Sequence, residues 1–182
     1  MTLQELAQLL RADMLRYQLV ISVDQNKSLN WLKLLSPRLL PVTLVRLARY
    51  CFLSRHLRIF SPFFTWLNVV LFGIEFTPRC EVGAGLMLPH TSGTVVGALK
   101  IGSGVTIFQG VTLGAKFADL QFTPTARPTV QDNVTLGAGA KVLGGVTVGA
   151  GAVISANSLV LDDVAGGAIM IGVPAVAKRS RT

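Results

Sequence analysis

The sequence predicts a mainly β protein of a single sizeable domain, in which a solenoid of short parallel strands follows an α-helical region. Two observations predict it. Apolar residues recur every sixth residue from about residue 76 onward, and at three-and-four spacing before that point. We place the helical region at residues 1–74, the solenoid at 75–177 and a basic tail at 178–182.

The six-residue period is the main evidence for the solenoid. The nine positions of its best stretch are Ile101, Ile107, Leu113, Val130, Leu136, Val142, Val148, Ile154 and Val160. Because 51% of the chain is hydrophobic, nine arbitrary positions would all be apolar with a probability of about 0.002. A six-residue unit is one short strand plus a tight turn, and three units make a triangular coil whose first residues point inward. Gly and Asn suit the turns because both tolerate positive φ.

One irregularity in the period marks a candidate site. The step of six also holds upstream, at Phe76, Val82 and Leu88. The next step, from Leu88 to Val95, is seven residues. We therefore expect one extra residue to bulge from the solenoid next to His90.

A second irregularity predicts a loop. Leu113 and Val130 are 17 residues apart, which leaves 11 residues, roughly 116–126, inserted into the solenoid. Long loops inside compact repeats are usually functional. Because this one carries Phe117 and Phe122, we expect it to contact a neighbouring subunit or an acceptor.

Three helical stretches are predicted in the first region, over residues 3–19, 39–57 and 59–74. The third is apolar nearly all round, but it is short and interrupted, whereas a spanning helix needs about 20 apolar residues. Two interpretations stay open: a helix buried against the protein or a neighbouring subunit, or a helix lying on a membrane face with Arg55 and Arg58 toward anionic lipid.

Composition excludes several classes of protein. The net charge is +8, but charged residues are only 14% of the chain, a balance that argues against disorder. The two cysteines, Cys51 and Cys80, suit neither a disulfide scaffold nor a zinc site, and no metal site is predicted. The basic residues accompany no recognition helix or stacking aromatics, so no nucleic acid partner is expected. No signal peptide is evident, and we expect a cytoplasmic protein, with contact at the inner face of the membrane left open.

Four stretches resemble the hexapeptide-repeat acyltransferases, and within them the serine acetyltransferase branch. They are LPHTSGTVVG, IGSGVTIFQGVTLGA, VTLGAGAKVLGGVTVGAGAVISANSLVLDDV and IGVPA. The resemblance implies a left-handed parallel β-helix, a homotrimer with active sites between subunits, and acetyl-CoA as donor. It assigns acetyl-CoA binding to Gly114, Ala115, Ala138, Gly139, Gly172 and Pro174. Lys178 of the basic tail would add charge for the phosphates of CoA.

His90 is the candidate catalytic residue. The chain has two histidines, and His56 suits an exposed position on a predicted helix. His90 lies at the predicted bulge, at the position of the catalytic histidine in the family it resembles. Acetyl transfer to a hydroxyl needs a base with a pKa near neutrality, which imidazole provides.

Two departures from the family pattern bear on the acceptor. Pro89 stands where the family has Asp directly before the catalytic histidine, and Arg127 stands where it has a second histidine. Since these positions help to hold the amino acid in serine acetyltransferases, we predict that Arg127 binds a different acceptor. Our leading hypothesis is O-acetylation of a sugar hydroxyl in polysaccharide or surface-glycan biosynthesis. The alternatives are serine O-acetylation in cysteine biosynthesis and a non-catalytic trimeric scaffold.

Overall fold

The computed structural model describes residues 1–21 and 30–178. It contains three α-helices, α1 (Leu3–Ile21), α2 (Leu40–Leu53) and α3 (Ser61–Phe72), and three short 3-10 helices at Trp31–Leu35, Arg58–Phe60 and Pro124–Ala126. The strands are β1 (Ile74–Phe76), β2 (Glu81–Val82), β3 (Thr94–Val96), β4 (Lys100–Ile101), β5 (Thr106–Ile107), β6 (Thr112–Gly114), β7 (Thr129–Val130), β8 (Thr135–Leu136), β9 (Lys141–Leu143), β10 (Thr147–Val148), β11 (Val153–Ile154), β12 (Leu159–Val160), β13 (Ile169–Ile171) and β14 (Val176–Ala177).

The strands wind into a left-handed β-helix with three sheets. The first sheet has the order β1-β3-β6-β9-β12, the second β10-β7-β4-β2 and the third β14-β13-β11-β8-β5. Within the described residues, every pairing is parallel except that of β13 with β14. From β3 to β12, successive strands belong to successive sheets, so each three strands of this stretch make one triangular coil. This fold class is the one that the sequence predicts.

The predicted inward positions form the core of the solenoid. All nine members of the six-residue series are at most 2% exposed. Asn133 and Asn157 hold positive φ angles of 57° and 58° at the corners, as their turn propensity suggests. Stacked aliphatic side chains therefore fill the axis of the β-helix from one coil to the next.

The prediction about the bulge needs a correction. The inward residue of β3 is Val96, which is 1% exposed and pairs in register with Leu113, whereas Val95 is 37% exposed. The corner that carries His90 thus holds two extra residues, and the following turn is one residue shorter. The sequence spacing from Leu88 to Ile101 does not show where the extra residues lie, because the insertion at the first corner and the deletion at the next partly cancel.

A buried ion pair fixes the helical region onto the first coil. The Arg46 guanidinium of α2 donates to both carboxylate oxygens of Asp13 in α1 at 2.9 Å, and both side chains are about 1–2% exposed. Arg46 also donates to the carbonyls of Val82 and Gly83, and Asp13 accepts from the Leu86 N–H. Helices α1 and α2 are thereby tied to the chain segment just before His90.

Helix α3 packs antiparallel to α2 and ends at the solenoid. Ser61 donates to the Ala48 carbonyl and Asn68 to the Pro41 carbonyl. Gly73 ends the helix in the left-handed conformation, and β1 begins at the next residue. The boundary between residues 74 and 75 remains a prediction.

One face of α3 is exposed in the single chain. The other described residues therefore do not by themselves bury this helix, which was one of the interpretations left open by the sequence. The exposed side chains include Phe63, Trp66, Val70 and Leu71, each more than half exposed. None of the helices in residues 1–21 and 30–178 is long and apolar enough to cross a membrane. His56 is exposed as predicted, but it lies in the turn after α2 because that helix ends at Leu53.

Candidate active site

His90 lies at a corner of the β-helix, where the chain passes from the third sheet to the first. Hydrogen bonds to the end of α3 hold this corner: Thr91 Oγ1 donates to the Phe72 carbonyl at 2.8 Å, and the Gly93 N–H donates to the Gly73 carbonyl at 2.9 Å. The His90 side chain itself is exposed and has no hydrogen-bond partner among the described residues. The corner is therefore rigid while the imidazole is free to meet a ligand.

A cleft of about 480 Å³ opens beside His90. Its walls come from the corner itself, from the segment before α2 and from the next coil; the lining residues are Pro37, Arg38, Leu88, Pro89, His90, Thr91, Ser92 and Gln109. None of them is Asp or Glu, and Arg38 and His90 are the two that carry or can gain positive charge. The cleft thus offers a base and hydrogen-bonding groups, but its described lining residues include no carboxylate to orient the imidazole or to pair with an ammonium.

Four of the predicted donor-binding residues lie along the same edge as His90. Gly110 N–H donates to the Ser92 carbonyl, Gly139 N–H to the Gln109 carbonyl, and Asn157 N–H to the Ala138 carbonyl. Further along, Leu159 N–H donates to the Gly172 carbonyl. We call this the histidine edge; it carries His90, Gln109, Ala138, Gly139, Gly172 and Pro174.

Gly114 and Ala115 lie on a different edge, where the first sheet turns toward the second. We call this the loop edge; it carries Gly114, Ala115, residues 116–126, Gly144 and Gly145. A Cβ added at Gly114 would meet no atom of the described residues within 4 Å, so no contact among them explains a glycine there. At Gly139, in contrast, φ is +72° and an added Cβ would collide with Asn157. Open space at Gly114 supports the close approach of another molecule.

Lys178 is separated from both edges. Its N–H donates to the Ile169 carbonyl at the start of β13, the opposite end of that strand from Gly172. Arg179 and Arg181 lie outside the described residues. The role of Lys178 in binding CoA phosphates stays a prediction.

Arg127 is engaged by the inserted loop. Its guanidinium contacts the Asp119 carboxylate at 2.9–3.0 Å and donates to the Asp119 and Gly97 carbonyls. Phe122 lies under the guanidinium, 4.7 Å from its carbon to the ring centroid. Substrate binding by Arg127 stays a prediction. In the structure, its side chain holds the inserted loop against the loop edge through these contacts.

The carboxylate of Asp119 completes this network. Partial desolvation opposes ionisation, but hydrogen bonds from the Thr123 N–H, the Arg127 guanidinium and the Thr123 hydroxyl together hold the pKa of Asp119 below its usual value. Phe117 and Leu120 are 87% and 99% exposed on the outer side of the loop. The polar groups on the inner side of the loop are thus hydrogen-bonded to one another, while the apolar side chains at its tip face away from the chain.

Sequence reasoning missed Arg38 and Gln109 as parts of the His90 cleft. Arg38 is far from His90 in the sequence, and no local pattern predicts their proximity. Gln109 could have been found, because the equivalent positions of the next two coils at this corner are Ala138 and Ala156. Among the described residues, no group of three or more His, Cys, Asp or Glu side chains could hold a metal ion.

Together, the β-helix, its six-residue repeats and a histidine at a coil corner define a hexapeptide-repeat transferase. Residues 127–162 match the family of bacterial transferase hexapeptide proteins (six repeats). The chain is 38% identical over 128 residues to a serine acetyltransferase of Helicobacter pylori (strain J99 / ATCC 700824), a match covering 70% of this chain and 69% of that relative. It is 39% identical over 127 residues to the serine acetyltransferase of Bacillus subtilis (strain 168), covering 69% of this chain and 54% of that relative.

Solved structures agree with these matches. The serine acetyltransferase of Brucella abortus strain S19 superposes with a TM-score of 0.80 at 27% identity, covering 97% of this chain and 70% of the other. The Neisseria gonorrhoeae enzyme in complex with serine gives a TM-score of 0.80 at 25% identity, with 97% and 70% covered. The chain belongs to the serine acetyltransferase family. It nevertheless spans only about half the length of the Bacillus subtilis relative, and the comparisons give no support to the polysaccharide branch.

Proposed function

We propose that this protein transfers an acetyl group from acetyl-CoA to a hydroxyl, with His90 as general base. The observation that carries the proposal is the exposed His90, without a hydrogen-bond partner among the described residues, in a corner cleft on the edge that also presents the turns predicted to bind the donor. Family membership supports the same reaction class.

In this mechanism His90 removes the proton of the acceptor hydroxyl as its oxygen attacks the thioester carbon. The carbonyl carbon becomes tetrahedral, and its oxyanion needs hydrogen-bond donors. When the C–S bond breaks, the protonated imidazole returns its proton to the leaving CoA thiolate. The products are the O-acetyl ester and free CoA, and His90 is neutral again.

Serine is the acceptor that the relatives support. The matched proteins are named serine acetyltransferases, and one of the solved structures holds serine. In this chain, serine would place its carboxylate toward Arg38 and its hydroxyl toward His90.

A sugar hydroxyl is the second candidate, and one observation favours it. The described residues that line the cleft include no carboxylate, so the ammonium of serine would find no negatively charged partner among them. An uncharged polyol needs none. Activity must therefore be measured with both serine and sugar acceptors to decide between them.

The test is release of free thiol from acetyl-CoA with L-serine, nucleotide sugars and oligosaccharides as acceptors. Thiol release that depends on one acceptor, with a matching O-acetyl product by mass spectrometry, is the expected result. Acetyl-CoA that stays intact with every acceptor would reject the enzyme and favour the non-catalytic scaffold.

A further inference from the structure

Gln109 lines the His90 cleft, and acetyl transfer, as proposed, leaves its side-chain oxygen unused. Oε1 is shielded from solvent and has no hydrogen-bond partner among the described residues. The same side chain lines the cleft with His90. Shielded carbonyl oxygens in proteins almost always accept a hydrogen bond, and leaving one unpaired is costly. The described residues therefore leave this oxygen available to a donor on a molecule that binds in the cleft.

The backbone around Gln109 is fixed from both sides. The Gly139 N–H donates to the Gln109 carbonyl at 2.8 Å, and the Gly110 N–H donates to the Ser92 carbonyl at 3.0 Å. These bonds join the Gln109 turn to the His90 corner above and to the next coil below. Its side chain consequently starts from a rigid position one coil away from the proposed base.

We propose that Gln109 determines acceptor specificity by accepting a hydrogen bond from the acceptor itself. The donor is an N–H or O–H group on the carbon next to the one that bears the reacting hydroxyl. Successive coils lie about 4.8 Å apart, so His90 and Gln109 suit two polar groups on adjacent carbons of one small molecule. A neutral amide oxygen serves either an ammonium or a hydroxyl, and no carboxylate among the described lining residues competes for it.

The inference rests on the proposed function and narrows it to a substrate class, the 1,2-amino alcohols and 1,2-diols. Serine belongs to the first group, and the vicinal hydroxyls of sugars to the second. Alcohols without the neighbouring donor should be poor acceptors.

The experiment compares matched acceptor pairs in the thiol-release assay. L-serine is paired with 3-hydroxypropionate, and glycerol with 1,3-propanediol, because the second member of each pair lacks only the donor on the neighbouring carbon. For the pair that the wild type uses, kcat/KM should be about 10- to 100-fold higher for the first member, the range expected for one buried hydrogen bond. Gln109→Met should lose this preference by lowering kcat/KM for the first member alone, and Gln109→Glu, which keeps an acceptor oxygen, should retain it.

Three outcomes separate the possible failures. If Gln109→Met keeps the preference of an active wild type, the inference is wrong while the proposed function stands. If Gln109→Met slows acetyl transfer to both acceptors of a pair and acetyl-CoA hydrolysis by the same factor, then Gln109 orients His90. That outcome also overturns the inference. A wild type that releases no thiol with any acceptor rejects the proposed function and the inference together. Unchanged melting temperature and molar mass confirm that the variants fold, and Gln109→Ala, which copies Ala138 of the next coil, replaces Gln109→Met if that variant fails.

Discussion

At the scale of single residues, His90 carries the most direct prediction. His90→Ala should lower kcat by about 10²- to 10⁴-fold, the contribution of a general base. Acetyl-CoA affinity should hardly change, since the predicted donor contacts are mainly backbone groups and turns. Steady-state kinetics and equilibrium binding of acetyl-CoA would measure the two effects separately.

His56→Ala is the matched control for this experiment, because His56 is exposed in the turn after α2 and away from the cleft. It should leave both quantities unchanged. Near-normal turnover of His90→Ala would show that His90 is not the general base. A variant that fails to fold would show that His90 has a structural role.

The two cysteines give a second residue-scale prediction. Burial raises the pKa of the Cys80 thiol from 9.0 to about 12 and raises that of Cys51 as well. The neutral thiols are therefore favoured in the folded state, so their contribution to stability is present below about pH 9 and declines as the pH rises toward 12. Native protein at pH 8 should react slowly with a thiol reagent and should expose two reactive thiols on unfolding. Rapid labelling of native protein at pH 8 would contradict this.

At the scale of elements, the buried Asp13–Arg46 pair connects the helices to the solenoid. Burial raises the pKa of Asp13, while Arg46 and the Leu86 N–H oppose that rise. Asp13→Ala should lower the free energy of unfolding by about 3–5 kcal/mol, because it leaves the Arg46 cation buried without a partner. Urea unfolding at fixed protein concentration would measure the change.

The exposed pair Glu81–Lys100 provides the control, with side chains 59% and 52% exposed. Glu81→Ala should cost about 0–1 kcal/mol. Replacing Asp13 and Arg46 together by Leu and Met should cost less than Asp13→Ala alone. Equal losses for Asp13→Ala and Glu81→Ala would show that the buried pair does not hold the helices in place.

The inserted loop gives the next prediction. Replacing residues 116–126 by a tight turn should leave the oligomer intact. It should raise KM for the acceptor, because the exposed apolar tip at Phe117 and Leu120 faces away from its own chain and is available to another molecule. Light scattering and steady-state kinetics test the two parts. An oligomer that dissociates while activity per folded chain is retained would make the loop a structural element.

The sequence predicted the elements that depend on local periodicity, and less of what depends on distant contacts. The six-residue series fixes the inward residues, since the axis of a β-helix admits only apolar side chains. It could not locate Val96, because an insertion at one corner and a deletion at the next nearly cancel in the spacing. The approach of Arg38 to His90 and the pairing of Arg127 with Asp119 depend on how the helices and the loop fold back. Those contacts are tertiary, so no periodicity records them.

At the scale of the whole molecule, the proposed site is divided between two edges of the β-helix. His90, Ala138 and Gly139 lie on the histidine edge, whereas Gly114 and Ala115 lie on the loop edge across the first sheet. A neighbouring copy that brings its loop edge against the histidine edge would complete one site. The exposed apolar face of α3 also needs a partner.

We therefore predict a closed trimer of about three times 19.4 kDa with one site at each interface. Light scattering should give this mass, and a stable monomer at micromolar concentration would contradict it.

Mixed trimers test the shared site directly. His90→Ala removes the base, and Gly114→Leu should obstruct the donor without disturbing the fold, because the space beside Gly114 is open. Each variant alone should be nearly inactive. When equal amounts are unfolded and reassembled together, an intact site needs His90 from one chain and Gly114 from its neighbour. Random assortment provides this at about one interface in four, so activity should return to about a quarter of the wild-type value. Mixtures that stay as inactive as the separate variants, although hetero-oligomers have formed, would place the whole site within one chain.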